Sequence, residues 1–268
     1  GGIVFECDFA PLYFFNHLFD VRADGIGLGV RHQSFGAENL GDFSELWHHV
    51  RSGDRDVKIN LFAFFNLFNH VIAADNVGAG GFGGVGAVEI LLRHPQARLV
   101  ALVDVTDVGT PISGLYPHLA GYCDMPLLDA KDPKAQEKVD VVFMATPDRV
   151  GMNLAPAYLD AGIKVIDYSG DFRFNSEADY AEYARRLGKE QTHASPQLLP
   201  RTVYGLAELH RDEIDSKRMI VGNPGCFAVS CLLGLAPATR ARAINVKSII
   251  CDCKTGVSGA GKKPSATF

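Results

Sequence analysis

Apolar and polar positions fall into a regular order only from about residue 71 onward. Residues 71–77 read as a strand weakened by Asp75 and Asn76, both poor strand formers, and run into Gly78-Ala79-Gly80-Gly81-Phe82-Gly83-Gly84. Helical spacing then takes over in 85–93, where Val88, Leu91 and Leu92 predict an apolar face. Residues 99–103 form a continuous apolar run, which predicts a buried strand ending at Asp104. The rhythm repeats with a strand at 139–144 ending in Ala145-Thr146-Pro147, a helix at 153–161 stopped by Gly162, and a strand at 164–166. That strand leads into Asp167-Tyr168-Ser169-Gly170-Asp171-Phe172-Arg173. Strands alternating with helices predict an α/β fold, a doubly wound parallel sheet with helices on both faces.

Further on, a β-like run at 219–221 meets the turn Gly222-Asn223-Pro224-Gly225, and the apolar positions after Cys226 recur at helical spacing. Residues 246–253 read as a strand, followed by Thr255-Gly256-Val257-Ser258-Gly259-Ala260-Gly261-Lys262-Lys263. The first 70 residues have no clean period. They hold 11 of the 17 phenylalanines, the one tryptophan (Trp47) and five of the nine histidines, and 61–68 fits a buried helix or a strand equally.

Composition narrows the classes. A chain of 268 residues is long enough for one large or two ordinary domains. A net charge of −5 lacks the basic footprint of nucleic-acid binders, so none is expected as a partner. No run reaches the ~18 apolar residues of a membrane span, so no membrane association is expected. Six cysteines without a C-x-x-C pair, and no leader-like segment, predict a reducing, cytoplasmic setting. The start at Gly1-Gly2, without methionine, suggests a piece of a longer protein.

Two places carry candidate chemistry. The glycines at 78, 81 and 84 lie between a strand and a helix, with a second strand behind, where glycine allows a tight turn and a helix start receives a dinucleotide pyrophosphate. Cys226 opens a helix directly after an Asn-Pro-Gly turn, and a thiol at a helix start is stabilised as thiolate, in contrast to a buried core cysteine. In parallel sheets ligands sit beyond the carboxyl ends of the strands, which gathers Thr146, Pro147, Ser169 and Cys226. Asp171 and Arg173 read either as an ion pair or with Arg173 as an anion clamp. The loop 255–263 suits a phosphate-like anion or is a solvated hairpin. Cys251 and Cys253 share a strand face without further ligands and read as core, and His48, His49 and His70 lack ligand spacing, so no metal is expected.

Five motifs now stand in order. They are Gly78-Ala79-x-Gly81-Phe82-x-Gly84, residues 167–173, Val203-Tyr204-Gly205-Leu206-Ala207-Glu208-Leu209, Gly222-Asn223-Pro224-Gly225-Cys226 and residues 255–262. Together they resemble the N-acetyl-gamma-glutamyl-phosphate reductases of arginine biosynthesis, over roughly 77–268. The resemblance implies a dinucleotide-binding domain at 71–225, a partial catalytic domain at 226–268 and an unmatched segment at 1–70. It also implies a homo-oligomer, a small acyl-phosphate substrate and NADP(H) as hydride donor. Cys226 would attack the acyl carbon, phosphate would leave, and a thioester would be reduced to the semialdehyde. Asn223 would hold the developing oxyanion, and Ser169, Arg173, Ser258 and Lys262 would meet the substrate. Gly78 to Gly84, Thr146, Pro147 and Gly259 would hold the cofactor.

The chain departs from the family pattern at Phe227-Ala228-Val229, where the family carries Tyr-Pro-Thr, and at Gly80, where it carries Ser or Thr. The family's catalytic histidine falls beyond Phe268. Asp104, 20 residues after Gly84, by itself predicts NAD, because an acidic group there accepts from the ribose 2′-OH, and no cation follows until Lys131. The motifs outweigh that one position, so NADP(H) is the expectation. Two rival readings are the same chemistry on an aminoadipyl phosphate and a cofactor-binding module without catalysis.

Overall fold

A computed structural model describes residues 3–7, 72–136, 139–214 and 220–262. In chain order the main elements are β1 (Ile3–Cys7), β2 (Ile72–Val77), α1 (Phe82–Leu91), β3 (Ala97–Val103), α2 (Ile112–Leu115), β4 (Leu127–Leu128) and β5 (Val141–Met144). They continue with α3 (Gly151–Asp160), β6 (Lys164–Asp167), α4 (Glu177–Arg186), β7 (Thr202–Tyr204), α5 (Ala207–His210), β8 (Ile220–Gly222), α6 (Cys226–Arg240) and β9 (Cys251–Thr255). The seven strands β2 to β8 form one parallel sheet in the order β4-β3-β2-β5-β6-β8-β7. β1 and β9 form a separate parallel pair. The order reverses between β2 and β5, the crevice where open α/β sheets bind ligands.

Period-two alternation places the two faces of β5 in different cores. Val142 and Met144 pack with Met152, Ala155 and Tyr158 of α3, whereas Val141 and Phe143 pack with Leu91 of α1 and Ala207 of α5. Val85 and Val88 of α1 reach Leu102, Ile112 and Leu127 over the β3-β4 edge. The expected helices on both faces of a parallel sheet are present.

Most boundaries lie within two residues of the expectation; α1 and the run at 246–253 are the exceptions. Helix α1 starts at Phe82 rather than 85, so Gly83, Gly84 and Gly86 lie inside a helix, each costing about 0.5–1 kcal/mol relative to alanine. Buried contacts offset that cost, since Val85, Val88 and Leu91 are all enclosed. One of the two polar residues in β2 has a clear use: Asn76 Nδ2 donates to the Gly84 carbonyl at 2.8 Å and ties α1 to the strand. The run at 246–253 is not one strand, because Val246–Ser248 is a short 3₁₀ turn capped by Asn245 and pairing starts at Cys251.

Candidate active site

Three helix starts show which end of the sheet is built for a ligand. α4 closes its own first turn: Ser176 accepts from the Asp179 amide at 3.2 Å, and Glu177 and Asp179 place negative charge there. α1 and α6 do neither. Each is preceded by an extended glycine, Gly81 or Gly225, with no side-chain cap and no acid in the first turn. The first helical bond of α1 runs from Val85 N to Gly81 O, which leaves the Phe82, Gly83 and Gly84 amides as the open donors of that turn. That is an anion-receiving helix start.

The loop before α1 is held in shape from several sides. Gly78 has φ +82°, which any side chain would strain, and its N–H donates to Val103 O at 2.8 Å. A Cβ on Gly84 would overlap Gly78 O and stand 2.6 Å from Ala79 Cα, so loop and helix touch backbone to backbone. Thr146 lies alongside, its hydroxyl oxygen buried without a partner, next to Ala145, whose carbonyl a side chain on Gly78 would strike. Open amides, a glycine-only cradle and an orphaned hydroxyl at the switch point fit a dinucleotide phosphate group.

Asp104 does not stand free at the end of β3. Its Oδ2 accepts from Gly80 N at 2.8 Å, and its Oδ1 accepts from Val105 N at 2.7 Å, Thr106 N at 3.1 Å and Thr106 Oγ1 at 3.1 Å. Lys262 also arrives at Gly80, donating to its carbonyl at 3.0 Å from 182 residues away in sequence. Tyr116 donates to the same carbonyl at 2.9 Å, and the Lys262 ammonium lies 4.9 Å from the Tyr116 ring centre. Lys262, expected to meet the substrate, touches the glycine loop; spacing along the chain carried no signal for this contact. Gly259 lies in the turn that delivers it, its N–H on Gly256 O at 3.0 Å, and Ser258 O accepts from Gly261 N at 3.1 Å.

The second cluster surrounds the turn before α6. Asn223 N donates to Asp167 O at 2.7 Å, and Asn223 O accepts from Arg173 Nε at 2.8 Å. Arg173 Nη2 donates to Tyr168 O at 2.8 Å, and Nη1 lies beside Gly225, one residue before Cys226. The two readings of Asp171 and Arg173 separate, because they take different partners. Asp171 accepts from Arg149 N at 2.8 Å and Met152 N at 3.0 Å, whereas Arg173 clamps the loops after β6 and β8. Ser169 is enclosed, donating to Asp167 Oδ2 at 2.6 Å and accepting from Asp171 N at 3.1 Å, so its hydroxyl hydrogen is not available to a substrate. Burial pushes the Asp167 carboxyl up to about 7; the Ser169 hydroxyl and Arg173 pull it down, and Asp171 adds to the rise. Burial also raises Asp148, but Lys189, the Gly170 amide and Arg173 together hold it below the ordinary value. Cys226 is half-buried at the first position of α6, its carbonyl accepting from Ser230 Oγ at 3.0 Å.

The thiols differ from the sequence reading. Cys251 is exposed and Cys253 half-buried, so neither is core, and Cys231 joins them from α6 with its sulfur 3.5 Å from that of Cys253. Burial and these two thiols push Cys231 up to about 12. No cluster of three or more metal-ligating side chains occurs among the described residues, and His48, His49 and His70 lie outside them.

Comparison with known proteins gives the family. A family model described as "Semialdehyde dehydrogenase, NAD binding domain" matches residues 76–217, and one described as "Semialdehyde dehydrogenase, dimerisation domain" matches 226–268. The chain belongs to the semialdehyde dehydrogenase family. Within it the chain is 43% identical over 192 residues to the N-acetyl-gamma-glutamyl-phosphate reductase of Herminiimonas arsenicoxydans, covering 72% of this chain and 54% of that protein. It is 41% identical over 189 residues to the enzyme of the same name from Bacillus cytotoxicus, covering 70% and 53%. The chain therefore spans about half the length of the curated relatives it matches. An aspartate semialdehyde dehydrogenase II structure from Vibrio cholerae overlaps 63% of this chain and 46% of that one at 17% identity, with a TM-score of only 0.45. No helix among the described residues is long and apolar enough to cross a membrane.

Proposed function

We propose that this chain carries the cofactor and nucleophile sites of an N-acetyl-gamma-glutamyl-phosphate reductase, a cytoplasmic homo-oligomeric enzyme of NADP(H). The observation that carries the reading is the placement of Cys226. It opens an uncapped helix at the carboxyl end of the parallel sheet, with the Arg173 guanidinium beside the residue before it. The shared name of relatives at 41–43% identity supplies the substrate. The family model described as a dimerisation domain supports an oligomer.

Each residue acts by its position. The helix dipole and the Arg173 charge favour the Cys226 thiolate, which attacks the acyl carbon, forms a carbon–sulfur bond and expels phosphate. Asn223 is held at both backbone ends by Asp167 O and Arg173 Nε, and its Nδ2, which lies 3.4 Å from Pro224 O, is the oxyanion donor of this reading. Arg173 spends two of its five N–H donors on carbonyls, leaving the Nη1 edge to meet the leaving phosphate or the substrate carboxylate. Gly78 to Gly84, with Thr146 and Pro147 at the flank, would hold NADPH, whose chemistry there would be hydride donation. Ser258 and Gly259 belong to the turn that brings Lys262 to that cradle.

The test assays phosphate- and NADP-dependent oxidation of N-acetylglutamate semialdehyde beside its aminoadipate analogue. Cys226→Ser should lower the rate by at least ~10³-fold while leaving NADPH binding intact. Preference for the longer analogue would move the substrate, and cofactor binding without turnover in the wild-type chain would leave a binding module.

A further inference from the structure

Asp104 and Lys262 grip the two ends of one peptide residue. Asp104 holds the Gly80 N–H and Lys262 its carbonyl, so the residue at the end of β3 and a cation from the far end of the chain face the same point of the cradle. A carboxylate offers about four lone-pair positions, and Asp104 already accepts from Gly80 N, Val105 N, Thr106 N and Thr106 Oγ1. Both oxygens are engaged by the loop, Oδ1 by three donors and Oδ2 by Gly80 N, which leaves a single Oδ2 position for any further donor. The acid that would mark an NAD enzyme is here a loop staple.

Lys262 is differently placed. One ammonium hydrogen lies on Gly80 O, and an ammonium carries three, so two point elsewhere. The Tyr116 ring 4.9 Å from the ammonium and the Tyr116 hydroxyl on the same carbonyl hold the Lys262 head group at Gly80, before the first helical residue Phe82. A ribose standing over Gly80 and the end of β3 would direct its 2′ position to this ammonium.

We propose that Lys262 is the specificity residue for the 2′-phosphate of NADP(H), giving the site the cation that the segment after β3 lacks. The assignment rests on the dinucleotide reading above. A charge-assisted contact to a phosphate dianion is lost for NADPH and never existed for NADH, so the two cofactors separate cleanly.

The experiment titrates NADPH and NADH against the whole chain by calorimetry at two salt concentrations, without turnover. Lys262→Ala should weaken NADPH on the order of 10- to 100-fold and leave NADH within about twofold, and should remove the steeper salt dependence of NADPH. Lys262→Arg should restore most of the loss. Equal weakening of both cofactors would assign Lys262 to the pyrophosphate and overturn the 2′-phosphate role, as would no effect on either. Failure of the wild-type chain to bind either cofactor would instead remove the dinucleotide reading, and this assignment with it.

Discussion

The sheet at 72–222 and the α6-β9 segment at 226–262 are built to opposite standards of burial. Every residue of β5 and β6 is enclosed, whereas α6 buries only Ser230 of its fifteen residues and β9 leaves Cys251, Asp252 and Lys254 exposed. Phe227, Leu232, Ile250 and Val257 show large apolar surface in the second segment. The difference teaches that the nucleotide half supplies its own core. Among the described residues α6 instead leaves part of its apolar flank uncovered.

Truncating one large side chain in each region should expose this contrast most strongly. Phe143→Ala should cost about 3–5 kcal/mol in urea unfolding, because the ring is fully enclosed between α1, α5 and the sheet. Phe227→Ala should cost under ~1 kcal/mol, as its ring is already 42% exposed; a large loss there would mean that the flank is covered in solution.

The pH dependence of stability should also belong to the sheet. Burial raises Asp75 from 3.8 to about 7, opposed by the Asn76 amide and the Tyr158 hydroxyl. Below about pH 4 both states are protonated. As pH rises towards 7 the unfolded chain ionises first, so stability falls by up to about 4 kcal/mol and then levels. Asp167, also near 7, adds in the same direction. Asp75→Asn should flatten the curve measured by unfolding between pH 4.5 and 7.5, and an unchanged slope would remove Asp75 as its source.

A smaller effect tests the seam between the regions. A Cβ on Gly222 would strike Phe172 O and stand 2.9 Å from Arg173 N, so Gly222→Ala should cost about 1–3 kcal/mol and disturb the Arg173 clamp just before α6. Within α6 itself the comparison becomes one of rates: iodoacetamide near pH 7.5 should label Cys226 well before Cys231, whose thiol is pushed up to about 12. Equal labelling would remove the special status of the helix start.

Local signals determined a good deal of this protein. Glycines between an apolar strand and a helical run, strand ends at Thr146 and Asp167, and a cysteine after Asn-Pro-Gly are short-range patterns, and they were enough to give the parallel α/β sheet. Partnerships over long separations were decided only by the fold. Spacing could not reveal that Ser169 turns inward to Asp167, that Arg173 clamps two loops instead of pairing with Asp171, or that Cys231 meets Cys253. The fate of Asp104 shows the physical reason. Sequence fixes that an acid ends β3, but its meaning depends on which donors fill its lone pairs; Gly80 and Thr106 do so only once the loop closes, as Lys262 reaches Gly80 only once 182 residues have folded back.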